Sequence, residues 1–187
     1  MSHSLPHRAR RGLSLIELLM FIGIVSIALA ALLRVFVQST SASADPVLRR
    51  QALAIAESLM EEVQLMPLTW CDSEDATVDT ATSAAGCTGA ADAIGPEAGE
   101  SRTTLPSFDH VNDYHGFTMN GITDLTGAAI PGLAVYNASV AVAADTLHSI
   151  TAASGDALRI TVTVTGPGGT SVVLQGYRSR HAPNASL

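Results

Sequence analysis

Residues 109–115 contain four side chains that could bind a metal: Asp109, His110, Asp113 and His115. Imidazole nitrogens and carboxylate oxygens at this spacing could bind a transition metal, and the two carboxylates could hold Ca²⁺. In the alternative interpretation, the aspartates form turns or pair with Arg102, and the histidines bond to backbone carbonyl groups. We favour the alternative, and we therefore predict neither a bound metal nor a cofactor.

No other pattern in the chain indicates catalysis. Spacing alone identifies no Ser-His-Asp or Cys-His nucleophile set. The acidic residues at 72–79 lack the D-x-D-x-D-G pattern of a Ca²⁺-binding loop, and no ATPase motif is present. We predict that the protein is not an enzyme.

Cys71 and Cys87 are the two cysteines of the chain. The intervening distance of fifteen residues matches no metal-binding motif. An even number of cysteines favours a disulfide if this part of the chain lies in an oxidising compartment, and the alternative is two separate buried thiols. We predict a Cys71–Cys87 disulfide.

Glu17 is the only charged residue in the apolar run from Leu13 to Leu33. As a helix this run would be about 31 Å long, close to the hydrocarbon thickness of a bilayer. A charge at mid-bilayer costs about 2.5 to 3.5 kcal/mol, so Glu17 requires a partner or a function. Three arginines precede the run, at positions 8, 10 and 11. The positive-inside rule then predicts a single-pass membrane protein with a cytoplasmic N-terminus and a head on the other side of the membrane.

A secretory signal peptide is the rival interpretation of this N-terminus. Ala42-Ser43-Ala44 could serve as its cleavage site, giving a mature chain that starts at Asp45. However, the apolar run from Leu18 to Leu33 exceeds the usual length of about 7 to 15 residues for a signal peptide. A signal peptide also leaves Glu17 without a role, and we therefore favour a retained membrane helix.

The stretch Gly12-Leu13-Ser14-Leu15-Ile16-Glu17 resembles the processing signal of type IV prepilins and pseudopilins. The resemblance implies that a prepilin peptidase cuts after Gly12 and methylates the new N-terminus at Leu13, which makes Glu17 the fifth mature residue. Leu13 stands where Phe or Met is commoner, and Ser14 where Thr is usual. The α-ammonium group of Leu13, in the same or a neighbouring subunit, would then pair with Glu17. The alternative is a glutamate that snorkels to the membrane interface without a partner.

The charge balance argues against a nucleic-acid partner. The 187 residues carry 10 basic and 17 acidic side chains, and the formal net charge is −7. Affinity for DNA or RNA comes largely from cationic contacts to phosphate, which an acidic surface disfavours.

Beyond the apolar run, hydrophobic periodicity predicts the elements of an α+β head. Asp45-Pro46 has the form of a helix start, and apolar residues then recur every three or four positions, at Leu48, Ala52, Ile55, Leu59, Val63 and Met66. We predict one long helix over residues 13–66, kinked at Pro46. Alternating apolar residues predict strands at 133–143, 157–165 and 171–177, with a turn at Gly166-Pro167-Gly168-Gly169.

These elements divide the chain into five predicted segments. Residues 1–12 form a cytoplasmic leader, 13–34 a transmembrane or filament-core helix, and 35–66 an amphipathic helical half. Residues 67–132 form a connecting region with the disulfide loop, and 133–187 an antiparallel sheet of three or four strands with a C-terminal tail.

Several tracts between the leader and residue 117 resemble the D-type minor pilins of the mannose-sensitive haemagglutinin (MSHA) pilus system. They include Ser58-Leu59-Met60-Glu61-Glu62-Val63, the segment 95–102, and Phe108 to Gly116. The resemblance implies a pilin-like fold and a subunit of a type IV pilus or pseudopilus, with a priming or tip position as one option. It also implies that the subunit starts in the bacterial inner membrane with a periplasmic head. Implied partners are other pilins, prepilin peptidase, and an inner-membrane assembly platform served by a separate cytoplasmic ATPase. The alternative function is a membrane-anchored or secreted metal-binding module of the periplasm.

Overall fold

The computed structural model describes residues 14–180, and at positions 38–45 it describes the backbone only. The chain divides into two compact units, Met1–Ala44 and Asp45–Leu187. Helix α1 comprises Leu15–Leu65 and contains Pro46, so one continuous helix contributes residues to both units. Its ends agree with the predicted helix to within two residues.

The N-terminal unit contains the apolar part of α1. The segment Leu15–Val37 has 23 residues and is long and apolar enough, by length and composition, to cross a membrane. None of its most apolar 18-residue window is buried within the protein. Such an apolar surface requires cover from another apolar phase.

The C-terminal unit is built on a four-stranded antiparallel sheet. Its strands are β1 (Thr118–Asn120), β2 (Asn137–Ala144), β3 (Ala157–Thr165) and β4 (Ser171–Ser179), and they lie in the order β1-β2-β3-β4. This meander confirms the predicted α+β class and the three predicted strands. β3 has the predicted bounds, whereas β2 begins later than predicted, and β1 lies within the predicted connecting region.

The core of this unit lies between one face of α1 and one face of the sheet. Because strand residues alternate between faces, Val140 and Val142 of β2 point to the same side as Ile160, Val162 and Val164 of β3. The helix contributes residues spaced three and four apart, namely Ala52, Ile55, Ala56, Leu59, Met60 and Val63. The predicted amphipathic periodicity is therefore confirmed within this half of the helix.

Three aromatic rings attach the connecting region to this core. Phe108, Tyr114 and Phe117 contact one another edge to face, with ring centroids 5.0 to 6.1 Å apart. Tyr114 belongs to a short 3₁₀ turn, Asn112–Tyr114, all of whose residues are buried. The cluster places the Asp109–Asp113 segment against the core, although the surrounding sequence has little regular structure.

Candidate functional site

Glu17 lies in the first turn of α1 and is exposed. The turn around it is formed, since the N–H of Leu18 donates to the carbonyl oxygen of Ser14 at 3.1 Å. Gly12 and Leu13 lie outside the described residues. The predicted cleavage after Gly12 and the pairing of Glu17 with the Leu13 ammonium group therefore stay predictions.

Cys71 and Cys87 form the predicted disulfide. Inside the loop that it closes, Asp75 is the organising carboxylate. Its Oδ1 accepts a hydrogen bond from the N–H of Thr77 at 2.7 Å, and its Oδ2 accepts one from the N–H of Gly89 at 2.5 Å. Hydrogen bonds from Thr77, Gly89 and Thr88 lower the pKa of Asp75. The Asp75 carboxylate therefore accepts hydrogen bonds from groups of the protein itself, and these bonds stabilise the conformation of the loop.

The structure brings Asp109, His110 and Asp113 together, with one ligand atom of each within 4.8 Å of the other two. Asp113 Oδ2 accepts hydrogen bonds from the N–H groups of Asp109 at 3.0 Å and His110 at 2.6 Å. Asp113 therefore bonds to the backbone of the same segment, but to residues that precede it, whereas the predicted turn would use residues that follow it. The buried His110 ring lies between two partners, with Nδ1 2.7 Å from Asp109 Oδ1 and Nε2 2.5 Å from Thr69 Oγ1.

The metal hypothesis also included His115, but the group described above does not contain it. Its Nδ1 accepts a hydrogen bond from the N–H of Val142 at 3.3 Å. Two details of the favoured interpretation are wrong. Neither histidine bonds to a backbone carbonyl group in the part of the chain that the structure describes. Arg102 pairs with Glu62 of α1 instead of either aspartate, since the fold buries both side chains beside each other.

The Glu62–Arg102 pair is a feature that the sequence analysis missed. Arg102 donates from Nε to Glu62 Oε1 at 2.6 Å and from Nη2 to Oε2 at 2.8 Å. Tyr114 donates from its hydroxyl to Glu62 Oε1 at 2.8 Å. Glu62 raises the pKa of Arg102, and burial together with Glu62 raises the pKa of Tyr114. No local pattern signals a pair between residues forty positions apart.

An open groove of about 620 Å³ lies beside this pair. Its walls are mainly apolar and include Ile55, Leu59, Ile122 and Leu133. The two charged groups of the pair also border it, but their hydrogen-bonding atoms are engaged with each other, with Tyr114, and with the carbonyl oxygens of Thr123 and Asp124. The groove thus offers mainly apolar surface.

Comparison of the chain with protein-family models, with curated proteins and with solved structures finds no match.

Proposed function

We propose that this protein is a minor pilin or pseudopilin of a type IV pilus system similar to the MSHA system, with a pilin-like fold. Prepilin peptidase would remove residues 1–12, and the mature chain would enter the filament through the apolar part of α1. The observation that carries the proposal is an exposed apolar helix with a single carboxylate, Glu17, followed in the same chain by a helix-on-sheet head.

The exposed apolar helix fits a subunit that moves between two environments. Before assembly, lipid would cover Leu15–Val37, whose length matches the hydrocarbon thickness of a bilayer. After assembly, equivalent helices of neighbouring subunits would cover the same surface. Both environments bury the segment without any change in its helical hydrogen bonds, which lie within the helix itself.

Glu17 fits the assembled filament better than the lipid bilayer. An unpaired carboxylate in a low-dielectric bundle is strongly unfavourable, whereas a paired one is tolerated. Cleavage after Gly12 would create an ammonium group at Leu13, about one helical turn away or on a neighbouring subunit. The pair would set the axial position of one subunit against the next. The remaining partners would be other pilins, the inner-membrane platform and its cytoplasmic ATPase.

The N-terminus of the mature protein tests this proposal. Mass spectrometry of the protein purified from membranes should find N-methylated Leu13, and a Gly12→Val variant should retain the leader. A mature chain that begins at Asp45 would contradict the proposal and would favour a secreted metal-binding module instead.

A further inference from the structure

We propose that Asp92, Glu97 and Asp113 form a binding site for a divalent cation of the Ca²⁺ class in the connecting region of the head. One carboxylate oxygen from each residue lies within 4.8 Å of the other two. Two oxygens bound to the same Ca²⁺ are separated by at most about 5 Å, twice the usual bond length. The three carboxylates are therefore close enough to share one ion. This inference does not rest on the proposed function.

Hydrogen bonds join the segment that carries Asp92 to the turn that carries Asp113. The N–H of Asp92 donates to the carbonyl oxygen of Trp70 at 3.1 Å, and the N–H of Gly95 donates to the carbonyl oxygen of Asn112 at 3.1 Å. The side-chain amide of Asn112 also donates to Asp92 Oδ1 at 2.6 Å. The segment 92–97 is thereby attached to the buried 3₁₀ turn that carries Asp113.

The site contains oxygen atoms that are buried without a protein donor. Asp113 is 0% exposed, and its Oδ1 has no hydrogen-bond partner among the described residues. Glu97 Oε2, a buried atom of a partly buried side chain, also has no hydrogen-bond partner among the described residues, and neither does the side-chain oxygen of Asn112, which is 2% exposed. A buried oxygen without a partner is costly, and native structures nearly always supply one. A cation would satisfy the carboxylate oxygens together.

The surrounding charges support the same conclusion. Glu100 adds a fourth carboxylate beside the site, since it accepts a hydrogen bond from the N–H of Glu97 at 3.1 Å. In the described part of the chain, the ion pairs involve acids other than Asp92, Glu97 and Asp113. The negative charge of the site therefore has no paired basic side chain among the described residues.

The ligand atoms favour a hard cation over a transition metal. All three are carboxylate oxygens, which suit Ca²⁺, and Ca²⁺ tolerates irregular geometry and completes its shell with water. The neighbouring group Asp109–His110–Asp113 is the competing site. There, both His110 nitrogens already have partners, and one oxygen of Asp113 accepts two backbone hydrogen bonds.

Calcium binding to the purified full-length chain in detergent tests the site directly. After treatment with EDTA and removal of the chelator, isothermal titration with CaCl₂ should show one ion per chain. We expect a dissociation constant on the order of 10⁻⁴ to 10⁻³ M, as in extracellular calcium modules. Glu97→Gln and Asp113→Asn should each weaken binding by about tenfold or more, since each removes one charged ligand. Glu74→Gln removes an exposed charge elsewhere in the head and should leave the affinity unchanged.

Two results would overturn the proposal. One is the absence of binding at millimolar Ca²⁺ by a chain whose circular dichroism shows it to be folded. The other is binding of Zn²⁺ in place of Ca²⁺ that Asp109→Asn abolishes and Glu97→Gln does not, which would assign the ion to the competing group. Glu97 is only partly buried, so its variant keeps the test valid if Asp113→Asn fails to fold. The calcium titration does not require assembled filaments. A result that contradicts the cation site would therefore leave the pilin proposal unaffected.

Discussion

At the residue scale, loss of the Arg102 side chain should destabilise the head strongly. Its side chain is 6% exposed and Glu62 is 15% exposed, so Arg102→Met would leave a largely buried carboxylate with Tyr114 as its remaining donor. Removal of one partner of a buried pair costs about 3 to 5 kcal/mol. Urea unfolding of the full chain in detergent, followed by the fluorescence of the single tryptophan, Trp70, measures this.

Arg159→Met is the matched control for this prediction. Arg159 pairs with Asp145 at 3.4 Å, but its side chain is 42% exposed, so its loss should cost less than about 1 kcal/mol. Equal losses for the two variants would show that the Glu62–Arg102 pair contributes nothing beyond a surface contact.

Asp113 should make the head less stable as the pH rises from about 4 to about 6. Burial raises its pKa from 3.8 to about 6, so within this interval the folded chain holds a proton that the unfolded chain has released. Protonated Asp113 therefore contributes fully to stability below its pKa in the unfolded chain. This contribution is lost as the pH rises past its pKa in the folded chain. Urea titrations in the presence of EDTA should show that the free energy of unfolding falls by an amount on the order of 1 kcal/mol or more over this pH interval.

The Asp113→Asn variant should have a shallower pH slope over this interval, because Asn cannot titrate. Asp79→Asn, at an exposed position, should keep the slope of the wild-type protein. Added Ca²⁺ should favour the deprotonated carboxylates and oppose the loss of stability at higher pH. An unchanged slope in Asp113→Asn would refute the assignment to this residue.

At the scale of elements, the turn between β3 and β4 packs without spare volume. A Cβ atom at Gly166 would lie 2.4 Å from the ring atom Cε1 of Tyr136, which is 1% exposed. Gly166→Ala should therefore destabilise the head by about 1 to 3 kcal/mol, the range for overpacked cores. Chemical denaturation measures the change.

Gly176→Ala, in β4, provides a comparison within the same packed unit. Its Cβ would approach Gln64 Nε2 at 2.5 Å and Met60 Sδ at 2.9 Å. Both are atoms of flexible side chains that can move aside, so we expect a smaller loss than at Gly166. A larger loss at Gly176 would mean that α1 and β4 are packed more rigidly than the turn.

At the scale of the whole molecule, Glu17 tests how the subunit enters an assembly. Glu17→Ala should insert into the membrane at least as well as the wild type, because the variant removes a charge from the apolar span. Processing after Gly12 should persist. Incorporation into filaments should fail, because the ammonium group of Leu13 would be buried unpaired, at a cost of about 3 to 5 kcal/mol.

The Glu17→Gln variant separates charge from shape. It should behave like Glu17→Ala if the counter-charge is what matters, and like the wild type if packing dominates. The measurement is the fraction of mature protein recovered in sheared filaments or crosslinked to other pilins. Normal incorporation of both variants would contradict the proposed pairing of Glu17 with Leu13. It would favour the alternative, in which Glu17 snorkels to the membrane interface.

The sequence by itself determined the features that depend on local periodicity. The apolar run and the amphipathic spacing from Leu48 onwards predict α1 to within two residues at each end, because a helix repeats every few positions. Alternation over Ala157–Thr165 predicts β3, and the number and spacing of the cysteines predict the disulfide. The short strand β1 was missed, since three residues are too few for alternation to register.

Only the tertiary structure decided which distant charged groups meet. Arg102 could have joined Asp109 or Asp113, which are nearer in the sequence, but the fold places it beside Glu62. Likewise, Asp92 and Glu97 come next to Asp113 through hydrogen bonds between loops. Such contacts leave no periodic signal, because the sequence separation of two loop residues says little about their distance in space. The candidate cation site was therefore visible only after the connecting region had been placed on its core.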